Sequence, residues 1–357
     1  MLVKKFLCFA IVLALLLSLC GCDGAVLNND GGIKDESAVE SATDIINGEG
    51  EFCVTFIDVG QADAALVKCD GRYMLIDGGN KADSSRIYSV LKEKGVKELD
   101  YVIGTHAHED HIGGIASAFS ACKVKEVFCP VTEYDSNAFK DFKNAAEKQG
   151  LELVCPKINS SYKLGSSRFT VFGPCEEYED ANNTSIVIKL EYGDTSILFT
   201  GDAERESEKD MIEAGFDLSA DLLKVGHHGS STSTSYVFLR EVMPTYAVIS
   251  VGTDNDYGHP HDVTLKRLED ADVTVMRTDL LGDITCYSDG EKLSFGETEN
   301  DESTPQSDYK YIGNINSKVV HSASCESLPK EENRIYFYTR EEAAEAGYTK
   351  ECGNCIE

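Results

Sequence analysis

Positive charge is scarce in this chain: 33 lysines and arginines stand against 62 aspartates and glutamates in 357 residues, a formal net charge of −29. So acidic a surface repels a polyanion at long range and argues against a broad electrostatic face for nucleic acid, though not against a nuclease whose metal ions reverse the sign locally. Long apolar runs are scarce as well. The stretch at residues 6–19 is too short for a membrane span. Ordered cysteine spacing is missing too. The 13 cysteines include seven scattered ones, at 53, 69, 122, 129, 155, 175 and 286, and so odd and unpatterned a set is a poor disulfide framework. Most read as small core hydrophobes. No repeat of fixed period is present, and no histidine lies between residues 112 and 201.

The N-terminus reads as an export signal, with Lys4 and Lys5 as its positive start and residues 6–19 as its apolar stretch. Leu19-Cys20-Gly21-Cys22 is similar to a bacterial lipobox, so a lipoprotein signal peptide is expected over 1–22 with Cys22 as the lipid anchor. Cys20 fits less well, because Leu19 fills the place that wants a small residue. Ordinary cleavage and release is the competing reading. Residues 23–50, rich in Gly, Asn, Asp and Ser, suit a flexible tether. The expected location is extracytoplasmic, lipid-anchored to the cell membrane.

From residue 51 short β-rich runs alternate with helical patterns, which predicts an α/β class of mixed sheets covered by helices. FCVTFIDV, AALVKC and YMLIDGG read as consecutive strands with turns at Gly60-Gln61 and Asp70-Gly71. Ser84 or Ser85 is expected to cap a helix carrying Ile87, Val90 and Leu91 on one face, with Gly95 ending it. LDYVIG, SIVIKLEYGDTSILFTGD, DLLKVG, TYAVISVG and DVTVMR supply further strands. An acidic, polar break at 297–308 separates a body at 51–296 from a small module at 309–357.

Thr105-His106-Ala107-His108-Glu109-Asp110-His111 follows a strand and holds three imidazoles and a carboxylate, the ligands of zinc-like and manganese-like ions. His106 and His108, two apart, can face one point, while Asp110 and His111 turn into the next helix and can face a second. Thr200-Gly201-Asp202 and Val225-Gly226-His227 close two later strands with further ligand types, and Gly113 and Gly114 allow close backbone approach.

HxHxDH followed by IGG resembles the metallo-β-lactamase superfamily, with Asp202 at the place of its bridging carboxylate, His227 at its last histidine ligand and Asp77 in LIDGG at its early aspartate. The resemblance implies an αββα sandwich over 51–296 and two divalent ions, zinc or manganese, held by His106, His108, Asp110, His111, Asp202 and His227. FIDVGQADA, NNTSIVIKLEYGDTSILFTGDAE, LLKVGHHGSSTSTS and YGHPHDVTL extend the likeness to the nuclease-like hydrolase domain of ComEC-type DNA-uptake proteins. That likeness implies a metal-dependent hydrolase of phosphodiesters, with DNA as substrate for uptake or extracellular processing. Asp110 and His228 take catalytic roles in that reading. A third histidine that many superfamily members carry is absent. Asn182-Asn183-Thr184-Ser185 stands there instead, so the ion on His106, His108 and Asp202 is expected to be loosely held. Asn183, Ser185, Ser230, His259 and His261 are candidate substrate contacts, as are Asp58, Gln61 and Asp63; turn chemistry, with Asp262 capping a helix, is the alternative for several of them.

In the tail, His321-x3-Cys325 and Cys352-x2-Cys355 form a tetrahedral structural zinc pattern, and so small a module needs such a staple. The surroundings resemble the metal-binding module of Ada-type repair proteins. A disulfide with one free cysteine is the alternative. For the whole chain the alternatives are hydrolysis of another substrate, a cell-wall phosphodiester or a β-lactam, and a non-catalytic protein that binds DNA or a protein partner.

Overall fold

The three apolar runs after residue 51 become an antiparallel meander, β1 (Phe52–Phe56), β2 (Ala65–Cys69) and β3 (Arg72–Ile76), in which Phe52 opposes Cys69 and Ala65 opposes Ile76. These strands belong to a computed structural model that describes residues 52–296 and most of 311–355. The expected signal peptide with Cys22, the tether and the acidic linker lie outside the described residues.

Helical crossovers then add parallel strands β4 (Glu98–Ile103), β5 (Lys123–Phe128) and β6 (Leu153–Val154). The crossover helix Ser84–Glu93 buries Ile87, Val90 and Leu91, and Gly95 follows its end at φ +66 as the pattern predicts. Its start differs from expectation. Asp83 is the N-cap, while Ser84 is already helical and its hydroxyl donates back to the Lys81 carbonyl at 2.7 Å.

A second sheet starts with β7 (Ser161–Leu164), β8 (Ser167–Gly173), β9 (Val187–Tyr192) and β10 (Thr195–Phe199), all antiparallel. It continues with parallel β11 (Leu222–Lys224), β12 (Tyr246–Ile249) and β13 (Thr274–Arg277). Two strands that the sequence pattern did not suggest, β14 (Ile284–Ser288) and β15 (Leu293–Phe295), return to the first sheet, where β14 pairs with β1. The strand orders are β15-β14-β1-β2-β3-β4-β5-β6 and β13-β12-β11-β10-β9-β8-β7.

The period of two along each strand divides the core into three layers. Val54, Phe56 and Val67 meet Phe169, Ile188 and Phe199 between the sheets. Leu66, Leu75 and Val102 pack under Ile87 and Phe142 of one helical layer, and Leu198, Leu223 and Ala247 under Met211, Phe238 and Leu268 of the other. This is the expected sandwich of mixed sheets between helices. Among the described residues no helix is long and apolar enough to cross a membrane.

The tail forms its own sheet, ordered β18-β16-β17-β19, from β16 (Tyr311–Asn314), β17 (Val319–Ser322), β18 (Arg334–Phe337) and β19 (Lys350–Glu351), with a helix at Arg340–Glu345. Among the described residues its buried apolar cluster is small: Val320, Phe337, Ala343 and Tyr348.

Candidate metal centre

Strand ends deliver the chemistry. Asp77 follows β3, His106 and His108 follow β4, Asp202 follows β10, and His227 and His228 follow β11. The LIDGG and HIGG turns are knitted together, with Gly78 N donating to His111 O at 2.7 Å and Gly114 N to Gly79 O at 3.0 Å. A Cβ on Gly114 would lie 2.0 Å from Gly78 O, so only glycine permits this approach. Asp77, His227 and His228 hold positive φ of 57°, 50° and 53°. For non-glycine residues each such backbone costs on the order of 1–3 kcal/mol, strain that packing sustains because it turns these side chains inward.

Asp110, His111, Asp202 and His228 bring one ligand atom each to within 4.8 Å of one another. Asp77 is buried behind them and fixes His111: its Oδ2 takes His111 Nδ1 at 2.9 Å and the Thr105 hydroxyl at 2.8 Å, and its Oδ1 takes Thr105 N at 2.8 Å. With Nδ1 donating to Asp77, His111 Nε2 turns to Asp202 Oδ1 at 3.3 Å, and both atoms are buried without a hydrogen-bond partner among the described residues. A cation between such a pair satisfies both, and imidazole with carboxylate is the donor set that zinc and manganese take. His106 Nε2 and His108 Nδ1 meet beside it, 3.0 Å apart.

The electrostatics of the group favour positive charge. Burial opposes protonation of His111, yet Asp202, Asp77 and Asp110 raise its pKa well above the ordinary value. Burial likewise opposes His228, and Asp202, Asp63 and Asp110 outweigh it and hold the pKa up at about 10. Desolvation would raise Asp110, but His111 and His228 bring it down to about 2. His106 goes the other way, pulled well below its usual value by burial and by His111.

His228 departs from the sequence reading, which gave it a catalytic role and gave the ligand place to His227. His228 is 2% exposed in relative terms, with Nδ1 3.0 Å from Ser250 O and 3.3 Å from Asp63 Oδ1, and Nε2 3.3 Å from Asp110 Oδ2 and 3.7 Å from Asp202 Oδ2. Facing carboxylates on its Nε2 side, it has no atom free for substrate. His227 Nε2 is also 3.7 Å from Asp202 Oδ2, while its Nδ1 rests on Glu204 Oε1 at 3.0 Å and the ring lines an open cleft.

Other expected substrate contacts are spent on structure. Asn183 Oδ1 accepts Glu204 N at 3.0 Å, and Ser185 Oγ accepts Asp202 N at 3.0 Å, so these residues position Asp202 and the helix after it. The Ser230 hydroxyl is buried against Thr232, and His261 Nδ1 accepts Ser231 N at 2.8 Å. His261 also takes the N-cap place foreseen for Asp262, which is the first residue of the helix Asp262–Asp270. Asp58 serves a turn, accepting Gly60 N at 3.0 Å. The cleft over the cluster, about 330 Å³, does include two of the expected contacts, Gln61 and His259, and is lined besides by His108, Glu109, Asp110, Asn182, Asp202, His227, His228 and Tyr257.

Two positioning residues escaped sequence reasoning. Lys224, buried in β11, holds Asp63 Oδ2 at 2.8 Å, which keeps that carboxylate ionised beneath His228 although burial works against it. A lone lysine inside the apolar run LLKV was the available signal. Glu204 gathers His227 Nδ1, the Thr232 hydroxyl at 2.8 Å and Asn182 Nδ2 at 3.3 Å. It stands two residues after Asp202 in a GDAE run whose function only folding reveals.

The tail carries a second group. His321, Cys325, Cys352 and Cys355 each bring a ligand atom within 4.8 Å of the others, with Cys325 and Cys352 sulfurs 3.9 Å apart. Ser322 N and Ser327 N point at the sulfurs of Cys355 and Cys325, at 3.3 and 3.4 Å. Backbone donors so placed stabilise thiolates, and the four soft donors suit zinc.

Residues 57–253 match the family model of the metallo-beta-lactamase superfamily. The chain is 33% identical to ComE operon protein 3 of Bacillus subtilis over 67% of its own length and 33% of that protein. It is 31% identical to competence protein ComA of Neisseria gonorrhoeae, over 66% and 32% of the two chains. Recombination protein 2 of Haemophilus influenzae shares 32% identity, over 65% and 28%. The chain thus spans about a third of the length of these relatives.

Proposed function

Because the chain belongs to the metallo-beta-lactamase superfamily, we propose that it is a metal-dependent hydrolase of phosphodiester bonds that acts on DNA. The observation that carries this reading is the convergence of Asp110, His111, Asp202 and His228 on one point, with His111 Nε2 and Asp202 Oδ1 buried and facing each other at 3.3 Å. His106, His108 and Asp202 would hold one divalent ion, and Asp110, His111, Asp202 and His228 the other. Zinc or manganese bound there supplies an activated water near neutral pH and neutralises phosphate oxygens.

The chain's own residues do the rest. Asp77 and Asp63 fix the faces that His111 and His228 present. Asp110 binds and orients at the cleft floor, being both in the cluster and in the cleft lining. His227 Nε2 stands over Asp202 on the cleft wall, placed to donate to a substrate oxygen while Glu204 holds the opposite nitrogen. The names of the relatives, which speak of competence and recombination, support DNA as the substrate class. We propose further that residues 1–22 direct export, that lipid on Cys22 anchors the protein at the membrane, and that His321, Cys325, Cys352 and Cys355 hold a structural zinc.

The test adds manganese or zinc back to metal-stripped protein and measures turnover of linear DNA, a simple phosphodiester and a β-lactam. Cleavage of both diesters is expected, lost in Asp110→Ala with the circular dichroism spectrum retained. Equal cleavage by parent and Asp110→Ala, or turnover of the lactam alone, rejects the reading.

A further inference from the structure

Tyr257 is 69% exposed, yet it belongs to the lining of the same cleft as Asp110 and Asp202. Its ring lies nearly parallel to that of His259, with centroids 5.6 Å apart and planes inclined by 22°. The loop that presents it is tightly bound. Asn255 Nδ2 donates to Gly252 O at 2.9 Å and His259 O at 2.6 Å, and its Oδ1 accepts Tyr257 N at 3.2 Å and His259 N at 3.0 Å. Gln61 adds a further tie, accepting Gly252 N at 3.2 Å while its amide nitrogen meets His259 Nδ1 at 3.4 Å. An aromatic face held ready in this way loses little freedom when a flat ligand settles on it.

The charge around the ring narrows the range of ligands. Among the described residues no lysine or arginine lines the cleft, whereas Glu109, Asp110 and Asp202 do, so beyond the scissile phosphate no cationic side chain there tracks the backbone. Gln61 is committed to the loop and is poorly placed to read sugar hydroxyls. At about 330 Å³ the cleft has the size of a small-ligand site, enough for one nucleotide beside the metal-ligand cluster. Stacking is the recognition left, and every nucleobase offers a face for it.

We propose that Tyr257, backed by His259, is the stacking platform for an unpaired nucleobase flanking the scissile phosphodiester, so that the site takes single-stranded or frayed nucleic acid. This rests on the phosphodiesterase reading. The test uses the full chain with manganese, three hydrolysis-resistant phosphorothioate probes (a short single-stranded oligonucleotide, the same backbone without bases, and a blunt duplex) and a hexose-phosphate oligomer as a fourth, with binding read by fluorescence anisotropy. The parent is expected to bind the base-bearing strand about tenfold more tightly than the abasic one, and more tightly than the duplex. Tyr257→Ala should bring the ratio of base-bearing to abasic affinity near one, and Tyr257→Phe should keep it. An unchanged ratio in Tyr257→Ala overturns the proposal, as does an equal loss of affinity for a hexose-phosphate oligomer, which would make the ring a sugar platform. Hydrolysis of a simple diester by the parent, measured alongside, reports on the phosphodiesterase reading separately from the affinity ratio.

Discussion

Lys224 and Asp63 meet at 2.8 Å, both nearly without solvent, and Asp63 in turn faces His228. Removing one member of a buried pair leaves a charge without compensation, which typically costs about 3–5 kcal/mol. Lys224→Met should therefore lower the urea midpoint strongly. The double change Lys224→Met with Asp63→Asn should fall well short of the sum of the two single losses, because the residues share one interaction; strict additivity would mean that the pair is not coupled. Asp77→Asn poses a different question. The amide keeps one acceptor for Thr105 but places a donor group against His111 Nδ1 or the Thr105 hydroxyl. The fixed face of His111 is lost, so manganese affinity by equilibrium dialysis should drop about 10- to 100-fold. Unaltered affinity would show that Asp77 serves the fold alone.

The loop at residues 230–235 is an element without repeating structure, held by side chains from helices on either side. Arg267 donates through Nη1 to Ser233 O at 2.8 Å and through Nη2 to Ser231 O at 3.1 Å, Thr264 donates to Ser230 O at 2.9 Å, and Glu208 accepts Thr234 N and Ser235 N. Charged hydrogen bonds to backbone of this kind contribute about 1.5–3 kcal/mol each when buried. Arg267→Ala should thus speed amide exchange across residues 230–235, while β1 to β5 keep their protection. The helix Asn137–Lys148 offers a contrasting case. Its N-cap is Ser136, whose Oγ accepts Phe139 N at 3.1 Å, and Ser136→Ala should cost about 1 kcal/mol by urea unfolding. The strands β14 and β15 were not legible. ITCYS and LSF are short and weakly alternating, and β14 is stabilised by pairing with β1, more than two hundred residues earlier in the chain.

At the scale of the molecule, the acidic charge and the cation-poor cleft make the same statement about binding. Affinity for single strands falls with salt in proportion to the phosphates neutralised by cationic side chains, with a logarithmic slope of roughly −0.7 for each one. With no lysine or arginine among the described residues of the cleft lining, the slope measured at fixed manganese should be shallow, about −1 or less in magnitude. A steep slope would reveal a basic track elsewhere on the surface. The tail differs in what holds it together. Among the described residues its apolar cluster is small, and so small a module needs a staple, so chelation should expose the tail to amide exchange and zinc should restore protection, but not in Cys352→Ala.

Sequence alone offered the candidate ligand types and their order, because imidazole and carboxylate spacing at strand ends is a local property: HxHxDH, TGD and VGH could be read where they stand. The mixed α/β class was legible for the same reason, since a period of two along strands and of 3.6 along helices is written residue by residue, whereas the sandwich itself was implied by the family resemblance. What only the tertiary structure decided was direction. Two adjacent histidines, His227 and His228, are equivalent as text, and the left-handed backbone at both sends one into the cluster against Ser250 and Asp63 and the other onto Glu204. Asn183 and Ser185 looked available until folding gave their polar atoms to Glu204 N and Asp202 N. A side chain's partners depend on strands far apart in the chain, and no spacing rule carries that information.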